Sequence, residues 1–162
     1  MNILALDLAT KTGFAVGRPD YPMIHGVQDF TPRRGDSPGM RYVRFSAWLR
    51  EMLRKCHVNL VVYEQAHQRG GAATEVAAGF ATHLQSVIAD LNRQPDVNGE
   101  IEHTTCHTAT LKAFATGNGK ATKADMVKRA CEVTGETITS DDEADAVMML
   151  LWAQATYAED EG

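Results

Sequence analysis

Cysteine is scarce in this sequence. Cys56, Cys106 and Cys131 are the only three among 162 residues, an odd number, widely spaced and without a Cys-x-x-Cys pair. That excludes a disulfide-stapled scaffold and a cysteine zinc ribbon, and it fits a reduced, cytoplasmic protein. Long apolar runs are missing as well. No stretch approaches the roughly 18 residues that a membrane span requires, so no membrane partner is expected. The N-terminus lacks the basic and then apolar pattern of a signal peptide. Basic residues end at Arg129. Up to that point 16 Lys and Arg face 12 Asp and Glu, a balance of +4, whereas residues 130–162 hold nine acids and no base. The net charge of −5 thus divides into a mildly basic majority and an acidic remainder. This is the distribution expected of an acidic site within a basic binding face.

With 44% hydrophobic and 23% charged residues the chain is globular. Its length suits one domain, placed at 1–158, with 159–162 as a short acidic tail. Residues 2–8 read as a buried strand, mostly apolar and bounded by the Ala-Thr-Lys-Thr-Gly turn. A second strand is expected from Phe14 to Gly17 after Gly13, and a third over 23–30, the three forming an antiparallel meander. Pro32 to Pro38 is a loop. Tyr42, Phe45, Leu49, Met52 and Cys56 fall on one helical face over 40–56, widened by Trp48 and Leu53. A strand over 60–63 follows, then Gly70-Gly71 and an alanine-rich helix at about 72–92. The small residues Ala77, Ala78, Gly79 and Ala81 of that helix allow close packing, either on a sheet or against a second copy of the chain. Next come a strand at 100–105, a short helix at 108–115, and the turn Gly117-Asn118-Gly119. Thr122 caps a helix running to about Thr134. Ser140 and Glu143 form a capping box that opens a last helix over 141–157. The order predicts an α/β fold: a mixed five-stranded sheet, part antiparallel meander and part parallel, flanked by helices.

Within this frame four acids stand out. Asp7 ends the first apolar run, Glu64 ends Leu-Val-Val-Tyr, and Asp142 and Asp145 sit three apart where the last apolar segment begins. Single carboxylates are costly to desolvate, and several together repel unless a cation lies between them. Hard divalent cations take oxygen ligands, and paired ions suit phosphodiester hydrolysis. Asp142 and Asp145 share one face of a helix and lie in its first turns, where the macrodipole favours negative charge. Each acid also has a plainer reading. Asp7 alone fits a turn opener equally well, and Asp141 and Glu143 read as ordinary helix-start acids.

Taken in order, these pieces resemble the RuvC group of Holliday-junction resolvases, within the RNase H-like nucleases. They are the strand ending at Asp7 with Gly13 after it, Tyr63-Glu64-Gln65, and Leu111-Lys112 with Gly117-x-Gly119 and Lys123. The last is Asp142-Glu143-Ala144-Asp145-Ala146. The resemblance implies an RNase H-like fold in which Asp7, Glu64, Asp142 and Asp145 ligate two Mg²⁺ ions, with Mn²⁺ able to substitute. It implies cleavage of four-way DNA junctions to 5′-phosphate and 3′-hydroxyl ends, by a homodimer, in the cytoplasm of a bacterium or a phage-infected cell. Lys112 and Lys123 match lysines that contact DNA or assist at the scissile phosphate, and Lys120 lies in the same segment. Arg33 and Arg34 are further phosphate contacts, as are Arg41 and Arg44; all four fit an exposed surface equally. His67 stands three residues after Glu64, where the family often carries an aromatic wedge. With Gln68 and Arg69 it belongs to a candidate DNA-sensing loop spanning Gln65 to Gly71. No residue assigns a branch-migration motor as a partner.

Other motifs fall away. Gly117-Asn118-Gly119-Lys120 lacks the first glycine and the Ser or Thr of a phosphate-binding loop. His103, Cys106 and His107 do not have the spacing of a structural zinc site. Trp48, Trp152 and Met148-Met149 read as core or interface. An actin-like ATPase would need two lobes and glycine-rich phosphate loops. The alternatives are a relaxed nuclease of the same fold and chemistry, acting on forks, flaps or RNA–DNA hybrids, and, of a different class, a non-catalytic branched-DNA-binding module.

Overall fold

Alternation along the central strands explains the architecture. The structure, a computed structural model, describes residues 1–65, 70–94 and 99–157. Its elements are β1 (Ile3–Asp7), β2 (Lys11–Gly17), β3 (Ile24–Asp29), α1 (Met40–Lys55), β4 (Leu60–Glu64), α2 (Ala72–Asn92), β5 (Glu102–Cys106), α3 (Thr108–Thr116), α4 (Lys123–Thr134) and α5 (Asp141–Tyr157). In β1, Ile3 and Ala5 join one core and Leu4 and Leu6 the other. In β4, Leu60 and Val62 share the first core while Val61 and Tyr63 share the second. Successive side chains point to opposite faces, so a strand covered on both sides reads as a continuous apolar run.

The sheet order is β3-β2-β1-β4-β5. The pairs β1–β2 and β2–β3 are antiparallel, and β1–β4 and β4–β5 are parallel, giving the expected mixed sheet. One face carries α1 and α2, whose Phe45, Leu49, Leu53, Phe80, Leu84 and Ile88 are buried. The other carries α3, α4 and α5. Helix α5 is buried on almost every side, through Ala144, Ala146, Val147, Met148, Met149, Leu150 and Ala153, because it lies between the sheet and the other two helices.

Three expectations need correction. Strand β2 begins at Lys11, because pairing continues through Asp7↔Gly13 and Phe30 N–H closes on Thr10 O at 2.7 Å. The connecting turn is therefore only residues 8–10. The small residues of α2 do not lie on the sheet as a set. A Cβ on Gly79 would fall 2.4 Å from the Tyr42 hydroxyl of α1, and Ala78 is exposed, while the large residues of α2 reach the core. The capping box of α5 is also altered. Ser140 Oγ accepts from Glu143 N–H at 3.3 Å, but the Glu143 carboxylate is engaged by His25 Nδ1 of β3 at 2.7 Å. The box of α4 is complete, between Thr122 and Asp125. Among the described residues no helix is long and apolar enough to cross a membrane, and all three cysteines are free.

Candidate metal centre

Strands β1 and β4 run parallel in the register Leu6↔Tyr63, so the next residues, Asp7 and Glu64, emerge at the same end of the sheet. Alternation puts both on the side of Ala5 and Val62, beneath α5. Helix α5 starts directly above them. Its first turn crosses β2 at Gly13, the residue opposite Asp7. A Cβ on Gly13 would lie 1.9 Å from Asp142 O and 2.7 Å from Glu143 N, so the helix rests against bare backbone. This approach delivers Asp145, one turn on, to the strand ends. Ligand oxygens of Asp7, Glu64 and Asp145 lie within 4.8 Å of one another, and Asp142 is hydrogen-bonded to Asp7.

The electrostatics follow from that crowding. Burial first, then the charges of Asp145, Glu64 and Asp142, hold Asp7 well above the usual carboxylate range. Asp145 is pushed up to about 7, mainly by burial and then by Glu64. Burial also raises Asp142, against the opposing pull of its bond to Asp7 and of the Lys123 charge. Glu64 accepts a hydrogen bond from the Thr108 hydroxyl, at the first residue of α3. Cys106 lies opposite Glu64 in the β4–β5 register. Burial and the Glu64 charge push its thiol up to about 12, so it is neutral at pH 7 and does not compete as a thiolate ligand. A set of carboxylates without sulfur or imidazole suits a hard cation such as Mg²⁺ or Mn²⁺.

The basic candidates are distributed unevenly. Lys123 Nζ lies 3.5 Å from Asp141 Oδ2 at the rim of the site. Lys112 is half-buried on α3, one turn beyond Thr108 and on the same side of that helix. Lys120 is exposed in the turn before α4, with its N–H bonded to Asn118 Oδ1. Arg33 and Arg34 are exposed in the loop after β3, away from the four acids in sequence and bonded locally through Arg33 N–H to Asp36. Arg44 is paired with Asp36 at 2.6 Å. Arg41 reaches Thr10 Oγ1 at 3.3 Å, in the turn that follows Asp7. His67, Gln68 and Arg69 lie outside the described residues.

His103, Cys106 and His107 gather no metal-ligand group among the described residues. His107 instead caps α3, its Nδ1 accepting from Ala109 N–H. A cavity of about 220 Å³ opens at the strand ends, lined by Asp7, Tyr63, Glu64 and Gln65 and by Thr74 and Ala77 of α2. A larger groove of about 660 Å³, bordered by Asn118, Lys128 and Arg129, contains none of the four acids.

Two residues that sequence reasoning passed over take part. Thr108 is one, and its only sequence signal is a hydroxyl just after the strand neighbouring Glu64. His25 is the other. It bridges Glu143 at 2.7 Å and Glu136 at 2.6 Å, and so ties β3 to the start of α5. Nothing in the sequence links His25 to acids more than a hundred positions away.

No family model matches this sequence, and no curated protein does. Solved structures do match. Thermus thermophilus RuvC superposes with a TM-score of 0.73 at 18% identity, over 99% of this chain and 97% of that one. T. thermophilus RuvC in complex with a Holliday junction substrate gives 0.74 at 14% identity, over 96% of each chain. The yeast mitochondrial Holliday junction resolvase Ydc2 gives 0.60 at 16% identity, over 98% of this chain and 82% of that one. The chain has the RuvC-type, RNase H-like fold over nearly its whole length.

Proposed function

We propose that the protein is a divalent-metal-dependent endonuclease that resolves four-way DNA junctions. The observation that carries this reading is the convergence of Asp7, Glu64 and Asp145, with Asp142 bonded to Asp7, in a fold shared with the resolvase structures. Buried carboxylates at such separations hold one another's protons in place, a cost that a cation among them removes. Asp7, Glu64, Asp142 and Asp145 are the proposed ligands. Two bound Mg²⁺ or Mn²⁺ ions would supply activation of water and stabilisation of the leaving 3′-oxygen.

The remaining roles belong to the chain itself. The four carboxylates that would hold the ions come from two strands and one helix packed against them, a placement that suits a preorganised site. Lys123, at the rim, offers a point charge to a phosphate. Lys112 and Lys120 extend that positive surface along α3 and the turn after it. Arg33 and Arg34 are proposed as peripheral backbone contacts, and the loop holding His67, Gln68 and Arg69 as a junction-sensing element on its sequence alone. Symmetric cuts need two sites, so we assign a C2 homodimer. The three free cysteines support a reduced cytoplasmic setting.

The competing reading keeps the site and changes the substrate. The test is a side-by-side digest of a synthetic four-way junction, a replication-fork analogue and an RNA–DNA hybrid in Mg²⁺. Preferred cleavage of the junction supports the proposal. Preferred cleavage of fork or hybrid would move the function to a relaxed nuclease.

A further inference from the structure

We propose that Thr108 is a positioning residue for Glu64: its hydroxyl donates to Glu64 Oε1 and fixes the carboxylate for metal binding. The inference rests on the metal-nuclease reading above.

Capping of α3 does not require the Thr108 side chain. That task falls to His107, whose Nδ1 accepts from Ala109 N–H at 3.4 Å and whose carbonyl accepts from Leu111 N–H at 3.0 Å. Thr108 Oγ1 instead crosses to Glu64, 44 positions away in sequence. Both partners are anchored independently of this bond. Glu64 ends β4, where Gln65 N–H donates to Cys106 O at 2.9 Å and holds the strand end to β5. Thr108 begins a helix whose Leu111 and Ala115 are buried in the α5-side core. The hydroxyl is therefore carried by packed elements, and the bond restrains the direction in which the Glu64 carboxylate points. Partners of this kind set the orientation of a ligating carboxylate, and their loss typically costs about 10- to 100-fold in metal affinity or activity. The same helix presents Lys112 one turn further on, so the bond also fixes α3, and with it a proposed phosphate contact, relative to the acids.

The test titrates the wild-type protein, Thr108→Val and Thr108→Ser with Mn²⁺, following free Mn²⁺ by electron paramagnetic resonance. Metal-free melting of each protein is recorded alongside. Valine keeps the shape of threonine without the donor, and serine keeps the donor without the methyl. The inference predicts Mn²⁺ affinity at least about tenfold weaker in Thr108→Val and within about threefold of wild type in Thr108→Ser. Metal-free melting should differ little among the three. Equal affinities in wild type and Thr108→Val would overturn the positioning role and leave the nuclease reading standing. Absence of Mn²⁺ binding by wild type would overturn both. Should Thr108→Val fail to fold, Thr108→Ala and Thr108→Ser are compared in the same way, with the same outcomes.

Discussion

At the scale of single residues the acidic site opposes stability when no metal is bound. Asp7, Asp142 and Asp145 all have folded-state pKa values above the ordinary 3.8, Asp145 at about 7. The unfolded chain gives up these protons near pH 4 and the native state keeps them longer. Above about pH 4 the native state therefore binds more protons, and this contribution to stability falls as pH rises through the raised values, that of Asp145 at about 7 among them. Metal binds the ionised carboxylates. Melting temperatures recorded with and without Mg²⁺ should thus separate more at pH 8 than at pH 5. An equal increment at both would show that these groups do not hold the ion. Asp7→Asn removes one of the crowded charges, and metal-free Asp7→Asn is expected to be more stable than wild type by about 1 kcal/mol, read from denaturant unfolding, while losing cleavage.

Secondary-structure elements set the geometry that those residues need, and one glycine decides it. Gly13→Ala would drive a methyl into the Asp142 carbonyl, with backbone on both sides of the clash. Either α5 or β2 must move. Overpacking of this kind typically costs about 1–3 kcal/mol, and it displaces Asp142 and Asp145, so cleavage should fall with stability. Gly79→Ala supplies the contrast. There the nearest atoms are the hydroxyl end of the Tyr42 ring, stacked on His83 at 4.7 Å, a side chain that can turn aside. Its cost should be smaller and its junction cleavage close to wild type, in the same unfolding and cleavage assays.

Much of this arrangement was legible beforehand, for identifiable reasons. Apolar runs ending in Asp7 and Glu64 gave two buried strands with acids at their ends, and Thr122 marked the start of α4. The parallel register Leu6↔Tyr63 was not legible, because it depends on how α1 carries the chain back. The contact of α5 on Gly13 was hidden for the same reason, although glycine at that position was itself visible. The bonds Thr108–Glu64 and His25–Glu143 join distant positions through common polar residues, which leave no periodic trace. The small residues of α2 misled because smallness shows that something comes close without showing what.

For the whole molecule the questions are symmetry and charge. The outward side of α2 presents Ala78, Thr82, Ser86 and Ala89, all exposed, a surface on which a second copy can sit closely. The proposed homodimer predicts a sedimentation-equilibrium mass of twice 17.7 kDa for wild type. Ala78→Arg should shift it towards a single chain without changing the circular-dichroism spectrum. A monomeric wild type that still cuts both strands of a junction symmetrically would contradict the two-site assignment. Lys123 stands at the rim of the acidic site, and in the proposed function the acids repel DNA until a cation neutralises them. Junction affinity should therefore rise on adding divalent metal and fall steeply with salt.

The most direct test of the central claim is to map the nicks made in an end-labelled four-way junction by wild type in Mg²⁺, by wild type in EDTA, and by Asp7→Asn in Mg²⁺. A metal site that includes Asp7 gives paired, symmetric nicks with 5′-phosphate and 3′-hydroxyl ends in the first reaction and none in the other two. Metal-independent nicks, or nicks undiminished in Asp7→Asn, would contradict it.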